Sequence, residues 1–357
     1  MSHSPDEFDT SYLTQHLQQM RKANTKNNRV LANGLPKHSQ KRGDNALSIY
    51  GPDYFYNYEL SWLQFNNRVL AEALDKKNPL MERVKFIGIV CSNLDEFFQK
   101  RVGGLKRQYH SGIEKPGVDG MTPLQQLKEI REQVATMIHT YRSCFLDDLV
   151  PALAKKGLHI KTYEQLNIDQ RNNVDEYFHK QLYPILTPLA VDEGHPFPFI
   201  SNKSSSFAVE LHNPYTQEDT FSRLKIPDNR PRWLTAEESE EGQIVVPIED
   251  VILANLESLF PGMRIKRAHI FRVTRNADLE RNEEEADDLL EVISEELRER
   301  RFAEIVRLEI DMNTPVHMKE FLISQLNIKW TDVYEMSNPI GLVDAFQLVK
   351  RLKNPKL

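Results

Sequence analysis

The stretch ELSWLQFNNRVLAEAL (Glu59–Leu74) decides the fold class of the first part of the chain. Its apolar residues recur every three or four positions, which is the spacing of one face of an α-helix. These residues are Trp62, Phe65, Val69 and Ala73. The pattern predicts an amphipathic helix with one face turned toward a core.

Two dipeptides with proline predict where the next helices begin. Asn78-Pro79 and Thr122-Pro123 each place a capping side chain before proline, the residue favoured at the first helical position. The first predicts a helix over Leu80–Val90, and the second predicts a helix with a long apolar face over 124–145. Residues 51–156 are therefore predicted to form an all-helical bundle domain.

After residue 157 short strand-like runs alternate with helical ones. The predicted strands are Ser206–Leu211, Ser222–Ile226, Gln243–Pro247, Ile265–Val273 and Glu304–Ile310. The predicted helices are Asp169–Leu182, Glu249–Phe260, Glu283–Arg300, Pro315–Leu326 and Gly341–Leu352. Prolines argue against regular structure at 184–190 and 195–199, and 226–243 is predicted to be a loop. The fold class is predicted to be α+β, with a mixed-sheet domain over 157–357.

Composition limits the classes of function. The chain has 357 residues, 40% of them apolar, and a net charge of −6, which suits a globular protein of about two domains and argues against coating of nucleic acid. Residues 1–48 differ, with seven Lys/Arg against four Asp/Glu, a net of +3. Residues 1–50 are predicted to be a disordered basic arm, either a solvated leader or a segment that contacts polyanions.

Several other classes of site find no support in the sequence. Cys91 and Cys144 lie in apolar helical patterns and are predicted to be buried thiols. No glycine-rich phosphate loop, GxSxG or HExxH motif is present, and no metal ligand is predicted. No apolar run has the ~18 residues of a membrane span, and the N-terminus lacks a secretory pattern. We expect a cytoplasmic protein without a transmembrane segment.

The stretch SNLDEF (Ser92–Phe97) has two interpretations. In the structural one, Asn93 caps a third helix, Glu96 completes a capping box, and Phe97 and Phe98 point to the core. In the functional one, the free N–H groups of that helix start suit a phosphate, and the Asn93 amide suits the edge of an adenine. Both roles are compatible, so the residues alone leave the two open.

Four cations follow this stretch within one to two turns. They are Lys100, Arg101, Lys106 and Arg107. A basic helix face is usually solvated, and phosphate contact is the alternative. The run at His195–Phe199 is interpreted as a rigid extended segment, and the acidic run at 283–296 as the solvent side of a helix.

Long runs of the sequence resemble one family. Glu59–Leu74, Asn78–Val90 and Ser92–Lys106 resemble the N-terminal domain of bacterial polyphosphate kinases of the long, histidine-phosphorylated type. Runs that resemble the middle, or head, domain of that family follow in the same order. They are Leu186–Ser204, Val246–Gly262, Phe271–Glu280 and Arg301–Asp311.

The resemblance implies reversible transfer of the terminal phosphate of ATP to inorganic polyphosphate through a phosphohistidine, with Mg²⁺. It implies that Asn93 contacts the nucleotide, since that family uses the asparagine of NLDEF in this way. It also implies a homo-oligomer formed through the head domain, which contributes to the substrate tunnel, and no nucleic-acid partner.

In that family the phosphorylated histidine, the magnesium ligands and the phosphate-binding arginines follow the head domain. The chain is therefore expected to be an N-terminal half without a catalytic residue, inactive alone. The alternative is a non-catalytic dimerisation or nucleotide-binding module that acts with a separate C-terminal half.

Overall fold

The computed structural model describes residues 51–192, 194–240, 242–277 and 303–351. The predicted basic arm over 1–50 and the helix predicted at 283–300 lie outside these ranges. Across the described ranges, no helix combines the length and the apolar character that crossing a bilayer requires.

The first part is helical, as predicted, and two of its helix pairs are joined without a loop. The helices are α1 (Tyr58–Leu74), α2 (Leu80–Phe97), α3 (Gly103–His110), α4 (Pro123–Ser143) and α5 (Val150–Ala154). A π-helical turn at Phe98–Val102 joins α2 to α3, and a second one at Cys144–Leu149 joins α4 to α5. Thr122 caps the start of α4 as predicted, and it forms a capping box with Gln125.

Strands and helices alternate in the second part. The strands are β1 (Leu158–Ile160), β2 (Pro188–Val191), β3 (Ser205–His212), β4 (Asp219–Lys225), β5 (Trp233–Ser239), β6 (Gly242–Pro247), β7 (Arg264–Arg275), β8 (Ile305–Asp311) and β9 (Val333–Met336). The helices are α6 (Ile168–Tyr177), α7 (Ile248–Ala254), α8 (Val316–Leu326) and α9 (Ala345–Val349). The α+β class is confirmed.

The strands form two mixed sheets. One has the order β2-β4-β3-β7-β8-β9, and the other has the order β1-β6-β5. The β8–β9 and β1–β6 pairs are parallel and the other pairs are antiparallel. The sheet order places the long strands β3 and β7 at the centre, where β7 carries Arg272 toward the helices.

The five predicted strands are found, but β1, β2, β5 and β9 were not predicted. Each of these four strands is an edge of its sheet. The prolines of 184–190 do not prevent regular structure, because Pro188 is the first residue of β2, where a missing N–H is tolerated. The loop predicted over 226–243 is wrong from residue 233 onward, because β5 pairs there with β6.

The helix start predicted at Asn93 is also wrong. α2 continues from Leu80 through Phe97 without interruption. Buried residues keep the helical spacing through the polar stretch, so tertiary packing outweighs the preference of Asn and Asp for caps. They include Val84, Ile87, Cys91 and Leu94. Neither the cap nor the free N–H groups predicted at Asn93 exist, and Glu96 completes no capping box.

The start of α2 needs a second correction. Asn78 does not cap the helix, which begins after Pro79 without a side-chain cap. Instead, the side-chain amide of Asn78 donates to the carbonyl oxygen of Glu72 at 2.9 Å, which closes the turn after α1.

One apolar core connects the helices to both sheets. Leu63 and Phe145 from the helices share it with Trp233 and Leu348. The predicted burial of Phe97, Phe98 and the two free cysteines is confirmed. The division into domains at residues 156 and 157 stays a prediction.

Candidate functional site

The side chains of Ser92–Phe97 leave α2 in different directions. Ser92 and Asp95 point toward the six-stranded sheet, where they border a polar cavity. Asn93 points toward α1, and Glu96 is exposed and pairs with Lys100. The stretch therefore serves two neighbouring sites on different sides of one helix.

Asn93 is half-buried and held in place by another asparagine. Its amide nitrogen donates to Oδ1 of Asn66 at 3.0 Å. Asn66 is completely buried in α1, and its own amide donates to the carbonyl oxygen of Val90 at 3.3 Å. Among the residues described, none donates a hydrogen bond to Oδ1 of Asn93. The pair leaves that oxygen as an acceptor fixed in orientation.

Asp95 is the centre of a buried ion cluster that joins α2 to the sheet. Arg272 of β7 binds both carboxylate oxygens of Asp95, with N–O distances of 3.0 and 2.5 Å. Arg307 of β8 also binds Asp95 and lies 4.5 Å above the ring of Phe98. Glu309 accepts from Arg272 at 2.5 Å, so two guanidinium groups face two carboxylates. Such a balanced arrangement is what burial of charges requires.

The cluster shifts the pKa values of its members. Burial by itself raises the pKa of Asp95, but the charges and hydrogen bonds of Arg272 and Arg307 lower it from 3.8 to about 2. Burial lowers the pKa of Arg272, and Asp95 and Glu309 more than reverse this and raise it well above its usual value. Asp95 is therefore ionised at neutral pH and serves the fold.

The four cations after the stretch do not form one surface. Lys106 is buried and binds Asp332 at 3.0 Å and Glu304 at 3.3 Å, so this cation is not on a solvated helix face. Arg101 lies 4.7 Å above the ring of Tyr58 and donates to its hydroxyl. Lys100 pairs with Glu96 and is exposed, and Arg107 is half-buried.

His195 lies outside this region. It is exposed, and its Nδ1 lies 2.8 Å from Oδ1 of Asp192. The rest of the run is structural, since Phe197 packs against Phe221 and Phe321.

A magnesium site does not fit the residues described. Within 51–192, 194–240, 242–277 and 303–351, no three His, Cys, Asp or Glu side chains come together as a metal site. Each carboxylate of the Asp95 cluster faces a guanidinium.

No motif in the sequence points directly to Arg272, Arg307 and Glu309. Arg272 lies on β7, and Arg307 and Glu309 lie on β8, two strands that the pattern of apolar residues predicts. Charged residues at buried positions of a predicted central strand are the one signal that could have found them, since such residues are rarely buried unless paired.

Comparison with protein families matches most of the described chain. The model for the polyphosphate kinase N-terminal domain matches residues 55–161. The model for the polyphosphate kinase middle domain matches residues 169–348. The two matches include Asn93 and all members of the Asp95 cluster.

Individual relatives give the same result. The chain is 45% identical over 310 residues to a polyphosphate kinase of Synechocystis sp., covering 84% of this chain and 43% of the relative. It is 42% identical over 330 residues to one of Prosthecochloris aestuarii, covering 90% and 46%. The crystal structure of polyphosphate kinase from Porphyromonas gingivalis matches with a TM-score of 0.67 at 25% identity, covering 84% of this chain and 41% of that one. The chain thus spans less than half the length of these relatives.

Proposed function

Because the chain belongs to the polyphosphate kinase family, we propose that it forms the nucleotide-binding side of an enzyme that transfers the terminal phosphate of ATP reversibly to inorganic polyphosphate. In this reaction a histidine nitrogen bonds to the terminal phosphorus as the bond to ADP breaks. A terminal oxygen of the polyphosphate then accepts the phosphoryl group and frees the imidazole.

The Asn66–Asn93 pair carries the proposed nucleotide contact. Oδ1 of Asn93 is half-buried and oriented through the 3.0 Å bond to Asn66, and it suits the exocyclic amine of adenine. A fixed acceptor loses little conformational freedom on binding, which favours affinity. The proposal needs no helix N-terminus, so the continuity of α2 does not weaken it.

We place the phosphorylated histidine and the magnesium ligands in the part of the family that this chain does not span. We therefore expect the 357-residue chain to bind nucleotide without transferring phosphate.

Two measurements on the purified chain test this proposal. Isothermal titration with ATP should show binding that Asn93→Ala weakens about threefold to tenfold, the value of one lost hydrogen bond. Asn78→Ala, which removes an asparagine in the turn between α1 and α2, is the matched control and should leave the affinity unchanged. Incubation with labelled ATP, Mg²⁺ and polyphosphate should label neither protein nor polymer.

The opposite results are equally clear. Equal ATP affinity of the wild type and Asn93→Ala removes Asn93 from the site. Transfer of label by the chain alone would show that it contains a catalytic nucleophile, contrary to the proposal.

Assembly and location are proposed from the family alone. We propose a cytoplasmic homo-oligomer formed through residues 157–357, and light scattering that shows a monomer at all concentrations would contradict the oligomer. The alternative is a non-catalytic module that acts with a separate C-terminal half. Phosphate transfer that appears when the C-terminal half of a relative is added would support this alternative.

A further inference from the structure

A polar cavity of about 250 Å³ lies on the sheet side of α2. It is bordered by α2, the start of β3, the segment between β4 and β5, β7 and the segment that leads into α9. The residues that matter for its chemistry are Ser92, Lys203, Arg230, Arg232, Arg272 and Asp344.

The carboxylates that border the cavity are already neutralised. Asp95 binds Arg272 at 2.5 Å, Asp344 lies 3.3 Å from Arg232, and Asp228 lies 2.9 Å from Lys225. Each acid is therefore used by a cation that belongs to the fold.

Two cations of the cavity have no such partner. Across the described ranges, no ion pair within 4.0 Å includes Lys203 or Arg230, and the charge of Lys203 acts on Glu96 only over a longer distance. Nε of Arg230 is buried and has no hydrogen-bond acceptor among the described residues. The two cations come from different segments of the chain, so both charges face one cavity only in the folded protein.

The backbone at Lys203 is unusual. Lys203 has φ of 60°, in the left-handed region that favours glycine, and its N–H donates to the carbonyl oxygen of Val273 at 2.9 Å. A side chain at such a position costs free energy, and such positions concentrate at ligand sites. The lysine side chain is therefore retained at a position where glycine would fit better.

We propose that this cavity binds a phosphoanhydride chain, the end of an inorganic polyphosphate, through Lys203 and Arg230. Phosphate oxygens accept charge-assisted hydrogen bonds from ammonium and guanidinium groups, and the Ser92 hydroxyl adds a neutral donor. The inference rests on the proposed function and assigns the polymer a position that differs from that of the nucleotide.

The lining distinguishes an inorganic chain from a nucleotide. No Phe, Tyr or Trp is among the residues that border the cavity, so a base finds no ring to stack on. Asn93, the proposed adenine contact, points to α1 on another side of the helix. The cavity therefore selects phosphate groups alone.

The test is isothermal titration of the purified chain with tripolyphosphate at fixed ionic strength. Lys203→Gly and Arg230→Gln should each weaken binding about tenfold or more. Lys203→Gly should also unfold at the same or a higher temperature than the wild type, because glycine relieves the positive φ. Lys266→Gln removes one charge from an exposed lysine that pairs with Glu210 and Asp219, and should leave binding unchanged.

Each alternative outcome overturns the proposal. Unchanged affinity in both cavity variants would show that the cavity is not the binding site. An equal loss of affinity in Lys266→Gln would show that binding depends on the net charge of the protein and not on the cavity. Sulfate that binds as tightly as tripolyphosphate makes it a general anion patch. ATP that depends on Lys203 as strongly as tripolyphosphate does makes it a nucleotide site.

A separate arm isolates the proposed function. Asn93→Ala should weaken ATP binding and leave tripolyphosphate binding intact. If ATP fails to bind while tripolyphosphate binds through Lys203 and Arg230, the nucleotide role fails and the cavity stands.

Discussion

Two pairs of cations lie beside the same helix and differ in what neutralises them. Arg272 and Arg307 are buried, and both bind Asp95 and Glu309. Lys203 and Arg230 border the adjacent cavity, and among the described residues no carboxylate pairs with either. Burial makes pairing obligatory, so the first pair fixes the helix on the sheet, whereas the second is available to a ligand. The first pair explains Asp95, the buried one of the two acidic residues of SNLDEF.

The most severe way to break this comparison is to remove the shared carboxylate. Asp95→Asn keeps the shape but leaves two buried guanidiniums with Glu309 alone. We expect the free energy of unfolding, measured in urea, to fall by about 3–5 kcal/mol. Asp147→Asn, an exposed aspartate, is the control and should change it by less than about 0.5 kcal/mol. A loss below about 1 kcal/mol for Asp95→Asn would show that the cluster does not hold α2.

Substitution of Lys106 tests whether this cation stabilises the fold or binds the phosphate of a ligand. Lys106→Gln leaves Asp332 buried without its charge partner, and we expect a loss of about 2–3 kcal/mol in the free energy of unfolding. This is less than for Asp95, because Glu304 is partly exposed. Lys115→Gln, on the surface, is the matched control. A variant that keeps its stability and loses ATP binding would restore the phosphate-contact interpretation of Lys106.

Lowering the pH should gradually remove the contribution that Asp95, through Arg272 and Arg307, makes to the free energy of unfolding. The pKa of Asp95 is lowered from 3.8 to about 2 on folding, so its contribution is complete above about pH 4 and is lost as the pH falls toward 2. The shift corresponds to roughly 2 kcal/mol. We expect the difference in unfolding free energy between wild type and Asp95→Asn to shrink by most of this amount between pH 5 and pH 2.5, with the remainder lost below the folded-state pKa of about 2. A constant difference would contradict the ionised state of Asp95.

The exposed pair Lys100–Glu96 should show the smallest effect. Lys100 donates a hydrogen bond that lowers the pKa of Glu96, and Lys100→Gln should return that pKa toward its usual value in an NMR titration. Solvent screens this pair, so stability should change by only about 0.2–0.5 kcal/mol. A larger loss would place Lys100 with the buried cations.

The missed strands show where local pattern stops being informative. The five predicted strands lie in the sheets with apolar residues at alternating or continuous positions, and their burial confirms the pattern. The four missed strands are all sheet edges. Edge strands are short or polar, since one side meets solvent, and β1 pairs with a strand more than 80 residues further along the chain, Leu158 with Gln243. Residues 237–239 of β5 are two glutamates and a serine, a composition that indicates a loop.

The sequence by itself determined the helical first part, five of the strands, the α+β class and the burial of the cysteines, because periodicity and composition are local properties. It also suggested that SNLDEF starts a helix, which was wrong. Only the tertiary structure decided that α2 continues through it, that Asp95 meets two arginines from distant strands, and that Lys203 and Arg230 share a cavity. These outcomes depend on which charges meet after folding, and a buried charge is stable only where its partner arrives from elsewhere in the chain.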